Sequence, residues 1–450
     1  MVKLAYGLDK KVSIIFILTF TIVSVIDSTI VQYTAFSGGN IPTGSYVAIF
    51  TLLSIIFAAG SVMLLTSVRK NSFSSIYKQS LSIRYFHTIA FSTQLLTIGI
   101  ILTVLLQMMF LSQYNLILLV VSTYLTSITT ILFLLFLVYF FVGWVRSKRN
   151  YTIVLYMLSF ILISVSIVVS MIYLEYFYSR SYSMDRKPYP IQSFIIRQEV
   201  TPFSESLSTV FDVVYLSSFI AIWLATVALL YQYRYKVGRI KYTILMSVPL
   251  IYYLFTYNYY FGNIFSDFTL EYPIAFGVTY VLTFSATKQV GAFLFSLTFL
   301  TASVIVTKKE IRSSLLVSAI GISLLYGSIV ITTLQYRLYP PFGLVTQAIM
   351  PLGSYLLLIG IFISCTNVAR DAQLRGEISK GAMSQLSLLK TIGASQMEKE
   401  LIKKFKGAEK RTANREERQE SYPEEDIEQI VHEVLEELKR RDLDKTKGSG

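Results

Sequence analysis

The chain has 450 residues, of which 54% are hydrophobic and 15% charged, against about 25% charged in an ordinary soluble domain. Charge is unevenly placed: residues 1–369 hold 23 Lys/Arg and 10 Asp/Glu, whereas residues 370–450 hold 17 of each. A soluble globule and a disordered chain are both excluded for the first part. The net charge of +13 lies wholly within it, in short segments between apolar runs, which is a membrane-orientation pattern rather than a nucleic-acid footprint.

Crossing a hydrocarbon layer about 30 Å thick takes about 20 apolar residues. Ten runs qualify: 12–34, 45–68, 87–111, 116–145, 151–174, 208–231, 242–262, 289–307, 314–335 and 344–368. The expected fold class is all-α, a polytopic transmembrane helical bundle of about ten spans over 1–369, followed by a short helical tail. The first run follows Lys3, Lys10 and Lys11 and continues through Asp27 to Phe36 with no small-x-small cleavage site. It reads as an uncleaved signal anchor.

With the N-terminus in the cytoplasm, the inner segments hold 17 Lys/Arg and the outer segments six. This bias satisfies the positive-inside rule and puts both termini in the cytoplasm. From Pro273 to Val306 the chain is apolar except at Lys288 and Gln289. A single helix would bury Lys288 at mid-membrane, so 273–287 is expected to re-enter or lie at the outer interface, with Lys288 snorkelling. The longest outer loop is expected at 175–207. The turn Tyr339-Pro340-Pro341-Phe342-Gly343 separates the last two spans.

Within the spans the unusual residues are two carboxylates, Asp27 and Asp212. Their sharp reading is a shared ion or proton site, because an intramembrane charge is costly to insert. Their plain reading is a pair of interfacial carboxylates hydrogen-bonded to Ser, Thr or water. Tyr252, Tyr253, Phe255, Tyr257, Tyr259, Tyr260 and Phe261 crowd the seventh run and read as an aromatic belt. Ala319, Ser323 and Gly327 repeat every fourth residue and suit close helix packing. The single cysteine, Cys365, cannot build a disulfide or a thiol metal site. No metal-ligand spacing, phosphate loop or nucleophile motif is present, so no cofactor and no enzymatic activity are expected.

The tail divides into an amphipathic juxtamembrane helix (370–405), a charged linker (406–421) and a C-terminal amphipathic helix (422–445). Ile427, Ile430, Val431, Val434, Leu435 and Leu438 form one apolar stripe with helical spacing. The stripe is expected to pack on the juxtamembrane helix, on a second copy as a coiled coil, or on a cytoplasmic protein partner. Tyr339–Gly343, the last span, and Val368-Ala369-Arg370-Asp371-Ala372-Gln373-Leu374-Arg375 through Gln396-Met397-Glu398 resemble uncharacterised polytopic membrane proteins of ammonia-oxidising (thaumarchaeal) archaea. That resemblance implies an archaeal plasma membrane and assigns no functional residue. The leading expectation is a receptor-like or scaffold protein that couples the bundle to its tail. The alternative is a secondary transporter of a small solute, with an acidic site near Asp27 and Asp212.

Overall fold

The structure is a computed structural model and describes residues 10–37, 43–71, 81–111, 114–147, 151–182, 201–231, 234, 238–256, 290–304, 306, 309–329 and 341–370. The segment 273–287 and the tail from 371 onward, with its stripe from Ile427 to Leu438, lie outside the described residues. The chain groups into two compact units, Met1–Val142 with Tyr151–Ser364, and Gly143–Asn150 with Cys365–Gly450. The packing described here is that of the first unit.

The described residues form ten helices: α1 (Lys10–Ser37), α2 (Thr43–Asn71), α3 (Leu81–Leu111), α4 (Leu116–Ser147) and α5 (Tyr151–Tyr182); then α6 (Pro202–Leu230), α7 (Arg239–Thr256), α8 (Val290–Val304), α9 (Lys309–Ser328) and α10 (Leu344–Arg370). Seven of them, α2 to α6 with α9 and α10, are long and apolar enough to cross a membrane. Helices suit such sequences because each closes its backbone hydrogen bonds internally, where lipid offers no partner. Hydroxyl side chains do the same. Thr51, Ser54, Thr97, Thr126 and Thr130 each donate to the carbonyl four residues back, so they cost little inside an apolar span.

Burial sorts the helices into two layers. The apolar windows of α9 and α10 are 94% buried, whereas those of α2 to α6 are 33–50% buried. The second group is apolar on both sides, one for the bundle and one for lipid. Leu102, Met109, Ile128 and Val213 are among the large side chains on the outside. The inner pair α9 and α10 touches backbone to backbone. A Cβ at Gly321 would meet the Leu357 nitrogen, one at Gly353 would lie 2.6 Å from the Leu325 nitrogen, and one at Gly360 would lie 2.6 Å from the Ser318 nitrogen. Gly321 on α9, with Gly353 and Gly360 about two turns apart on α10, thus sets the axis separation. Gly327 serves another face, its carbonyl accepting from Ser24 of α1 at 2.9 Å.

Around this pair, α1 packs on α9 and α2, α2 on α3, α5 on α6, and α6 on α7. The contacts are aromatic or polar at well-defined points. Phe141 of α4 stacks near Phe160 of α5 with centroids 5.9 Å apart. Phe295 of α8 meets Tyr326 of α9 edge-on at 4.9 Å. The Trp223 indole of α6 donates to the Met246 carbonyl of α7 at 2.8 Å.

Helix ends depart from the hydropathy reading. α5 runs to Tyr182 and α6 begins at Pro202, so helix extends from both sides into the expected 175–207 loop. The fall in hydropathy marks where apolar surface stops being needed, whereas a backbone helix continues until a residue breaks it. Conversely α9 begins at Lys309, earlier than the expected 314. Tyr253 is a core residue rather than belt. It is fully buried and lies flat on Phe219 of α6, centroids 3.7 Å apart and planes at 5°.

Candidate functional site

Helix α10 starts without a capping side chain of its own. Gly343 occupies the N-cap position, and Thr346, rather than Glu or Gln, occupies the third helical position. The first N–H groups of a helix need acceptors, and in a capping box the N-cap and third residues supply them reciprocally. Here Asp27 of α1 supplies both. Its Oδ1 accepts the Gly343 N–H at 2.9 Å. Its Oδ2 accepts the Thr346 N–H at 2.8 Å and the Thr346 hydroxyl at 2.7 Å.

Asp27 is completely buried. Among the described residues its charge is met by these donors and by the positive end of the helix dipole, not by a basic side chain. Gly343 has φ +94°, a left-handed conformation that glycine adopts without a Cβ penalty. Phe342 fixes the turn from the other side, edge-on to Tyr46 and Phe50 of α2 at 5.9 and 5.6 Å.

Asp212 lies on α6 and is exposed. The two carboxylates therefore stand in different surroundings, one wholly enclosed by the start of α10 and one at the surface of the helix. Among the described residues no group of three or more His, Cys, Asp or Glu gathers as a metal ion would require.

Below the cap, a row of buried polar groups joins α10 to α3 and α4. Gln94 Nε2 donates to the Ala348 carbonyl at 3.1 Å. The Thr123 hydroxyl lies 3.0 Å from the Gln347 carboxamide. The His87 Nδ1 and the Tyr355 hydroxyl are 2.7 Å apart, with Phe133 packed on the Tyr355 ring at 5.6 Å. A second polar cluster joins α5, α6 and α9. Ser159 bonds to Ser218 at 3.0 Å and to the Tyr326 hydroxyl, which lies 3.2 Å from Ser218.

Sequence reasoning found Asp27 as an outlier but missed its partner and missed the polar row. The signal for the first was present in two halves: a carboxylate unmatched in one span, and a helix start with Pro-Pro-Phe-Gly where a capping residue belongs. The row gave a weaker signal, since Ser and Thr occur in every span.

These observations define an integral, multi-pass α-helical membrane protein, associated with the bilayer through its apolar helices. No protein-family model matches the chain, and no curated protein or solved structure matches it either.

Proposed function

We propose that this chain is a ten-span plasma-membrane protein with both termini in the cytoplasm, acting as a non-enzymatic receptor-like or scaffold protein. In this reading α1, α7 and α8 complete the seven long apolar helices, and the Lys/Arg asymmetry sets the orientation. The resemblance to thaumarchaeal membrane proteins supports an archaeal membrane as its home.

The observation that carries the reading is the position of α10. It is enclosed by the bundle, its first turn is held by Asp27, and its length is tied to α3 and α4 by Gln94, Thr123 and His87. It then runs as one helix to Arg370, the residue that opens the tail. A rearrangement of the bundle that shifts α10 would move the start of the tail with it. The apolar stripe of the terminal helix is the corresponding output, toward a second copy or a cytoplasmic protein.

The test uses the full chain in nanodiscs, with an environment-sensitive dye on Ser449→Cys. Releasing the first turn of α10 by Asp27→Ala, which removes the acceptor of both N–H groups, should change the dye's emission, and Leu435→Asp should lower the oligomeric state or partner binding. Unchanged emission in the first variant and unchanged association in the second would end the proposal. A secondary transporter is the second reading, favoured by the fully buried carboxylate of Asp27 inside a helix. Solute uptake into proteoliposomes that stops in Asp27→Asn and Asp212→Asn would place it first.

A further inference from the structure

The turn that joins α6 to α7 is basic and has no acid near it in the chain. Residues 231–241 carry Arg234, Lys236, Arg239 and Lys241, and no Asp or Glu occurs between Asp212 and Asp267. Arg239 and Lys241 stand in the first turn of α7, which holds no acid. That is the reverse of what the helix dipole favours, so these charges do not serve the helix itself. Membrane orientation asks for Lys and Arg in such a turn. It asks nothing about how they are held or what lies beside them.

Here Arg234 is held. Its guanidinium lies over the Tyr231 ring, 4.6 Å from the centroid, and its Nη1 donates to the Tyr231 hydroxyl at 2.8 Å. Tyr231 rests edge-on against Tyr242 of α7, centroids 6.4 Å apart. The Tyr242 hydroxyl donates to the Val227 carbonyl at 2.9 Å, which ties the start of α7 to the end of α6. Gly238, at φ +94°, donates its N–H to the Arg234 carbonyl at 3.0 Å. One tight turn therefore separates Arg234 from Arg239.

The apolar half lies directly behind the charges. Helix α7 turns a narrow face, with Tyr242, Met246 and Tyr253, to the bundle, while Ile240, Ile244 and Ile251 are 77%, 56% and 62% exposed. Successive helical residues are about 100° apart. Ile244 and Ile251 thus fall within about 40° of Ile240, and the exposed Arg239 and Lys241 stand on either side of it. Helical side chains lean toward the N-terminus, so both cations lean back toward the turn that holds Arg234. Arg312 on α9 is also exposed, but the helix behind it is enclosed by the bundle, so no apolar face continues from it.

We propose that this turn and the outward face of α7 bind one anionic membrane lipid. The phosphate sits above Ile240 between Arg239 and Lys241, with Arg234 on its third side, and an acyl chain lies along Ile240, Ile244 and Ile251. Guanidinium groups suit the phosphate because their N–H donors match its oxygens, and basic pockets beside membrane helices take anionic headgroups in this way. A free phosphate would leave the apolar row unused, so the occupant is a lipid. The proposal stands whether or not the tail has a partner and whether or not a solute is moved.

The experiment uses the full chain in phosphatidylcholine nanodiscs, with a bromine-quenched dye on Leu254→Cys, just past the row; Cys365 is buried and stays unlabelled. Phosphatidylglycerol with brominated acyl chains should quench the dye at a mole fraction lower than brominated phosphatidylcholine by at least about fivefold, the effect of one cation near an anionic headgroup. Arg239→Gln with Lys241→Gln should abolish that preference, while Arg69→Gln on α2 keeps it. The wild-type chain supplies a measurement that needs no folded variant: rising sodium chloride should erase the preference, because exposed charges are screened. Glycerol phosphate should not compete at concentrations that match the lipid. Equal quenching by the two lipids would mean an ordinary lipid contact and would overturn the site. So would a preference that survives both salt and the double substitution, or one that glycerol phosphate removes.

Discussion

At the scale of single residues, Asp27 shows how a buried charge can be structural. Its two oxygens take the place of both halves of a capping box on another helix, at N–H distances of 2.9 and 2.8 Å. Hydrogen bonds to a charged group are worth about 1.5–3 kcal/mol each, and orphaned buried donors add their desolvation cost. Asp27→Ala should therefore lower stability by about 2–4 kcal/mol, read as a fall in the thermal midpoint in nanodiscs. Asp27→Asn should fall between wild type and alanine, because its single oxygen serves only one of the two N–H groups. Thr346→Val should lose less than alanine at 27, since it removes only the hydroxyl bond of 2.7 Å. The oddity of Asp27 was legible in the sequence because a carboxylate inside an apolar run is costly. Its partner was not, because the cap joins residues 316 apart in the chain and no local pattern links them. Tyr253 failed for the same reason: its stacking on Phe219 is tertiary, while the crowd of aromatics around it was visible locally.

At the scale of helices, the inner pair depends on the absence of side chains at particular positions. A methyl at Gly353 would press on the Leu325 backbone at 2.6 Å, and backbone cannot step aside as a side chain can. Gly60 differs, since its added Cβ would meet only the tip of the Phe20 ring at 2.9 Å. Gly99 has nothing within 4 Å. Gly353→Ala and Gly321→Ala should thus destabilise the fold by several degrees, whereas Gly99→Ala should be neutral or stabilise by up to about 1 kcal/mol through helix propensity. Equal effects at all three positions, measured by thermal unfolding, would contradict the close approach of α9 and α10. The existence and order of the helices were legible from apolar runs alone, each of the ten expected runs overlapping one described helix. Their faces were not. In a soluble protein the polar side identifies the exterior, but here lipid and core both accept Leu and Ile, so nothing in composition distinguished α10 from α4. The Gly321, Gly353 and Gly360 contacts carried that information, while the more regular Ala319-Ser323-Gly327 spacing drew the eye to a different face.

For the whole molecule, orientation is the property that follows most directly from charge. Cysteines at Ser183 and Ser449 should label differently with an impermeant thiol reagent added to intact cells. Ser183→Cys should react and Ser449→Cys should not; the reverse would invert the proposed topology. The cap also has a consequence for how the protein is made. Asp27 is synthesised with the first helix, but the donors that satisfy it belong to the last. At about 5–20 residues per second, the intervening 316 residues take about 15–60 s to emerge. Throughout that interval the first helix sits in or at the bilayer with a carboxyl group that has not met its partner. Closure of this contact therefore waits until the start of α10 has been made, and a nascent chain halted before Gly343 holds a first helix whose buried carboxylate still lacks its donors.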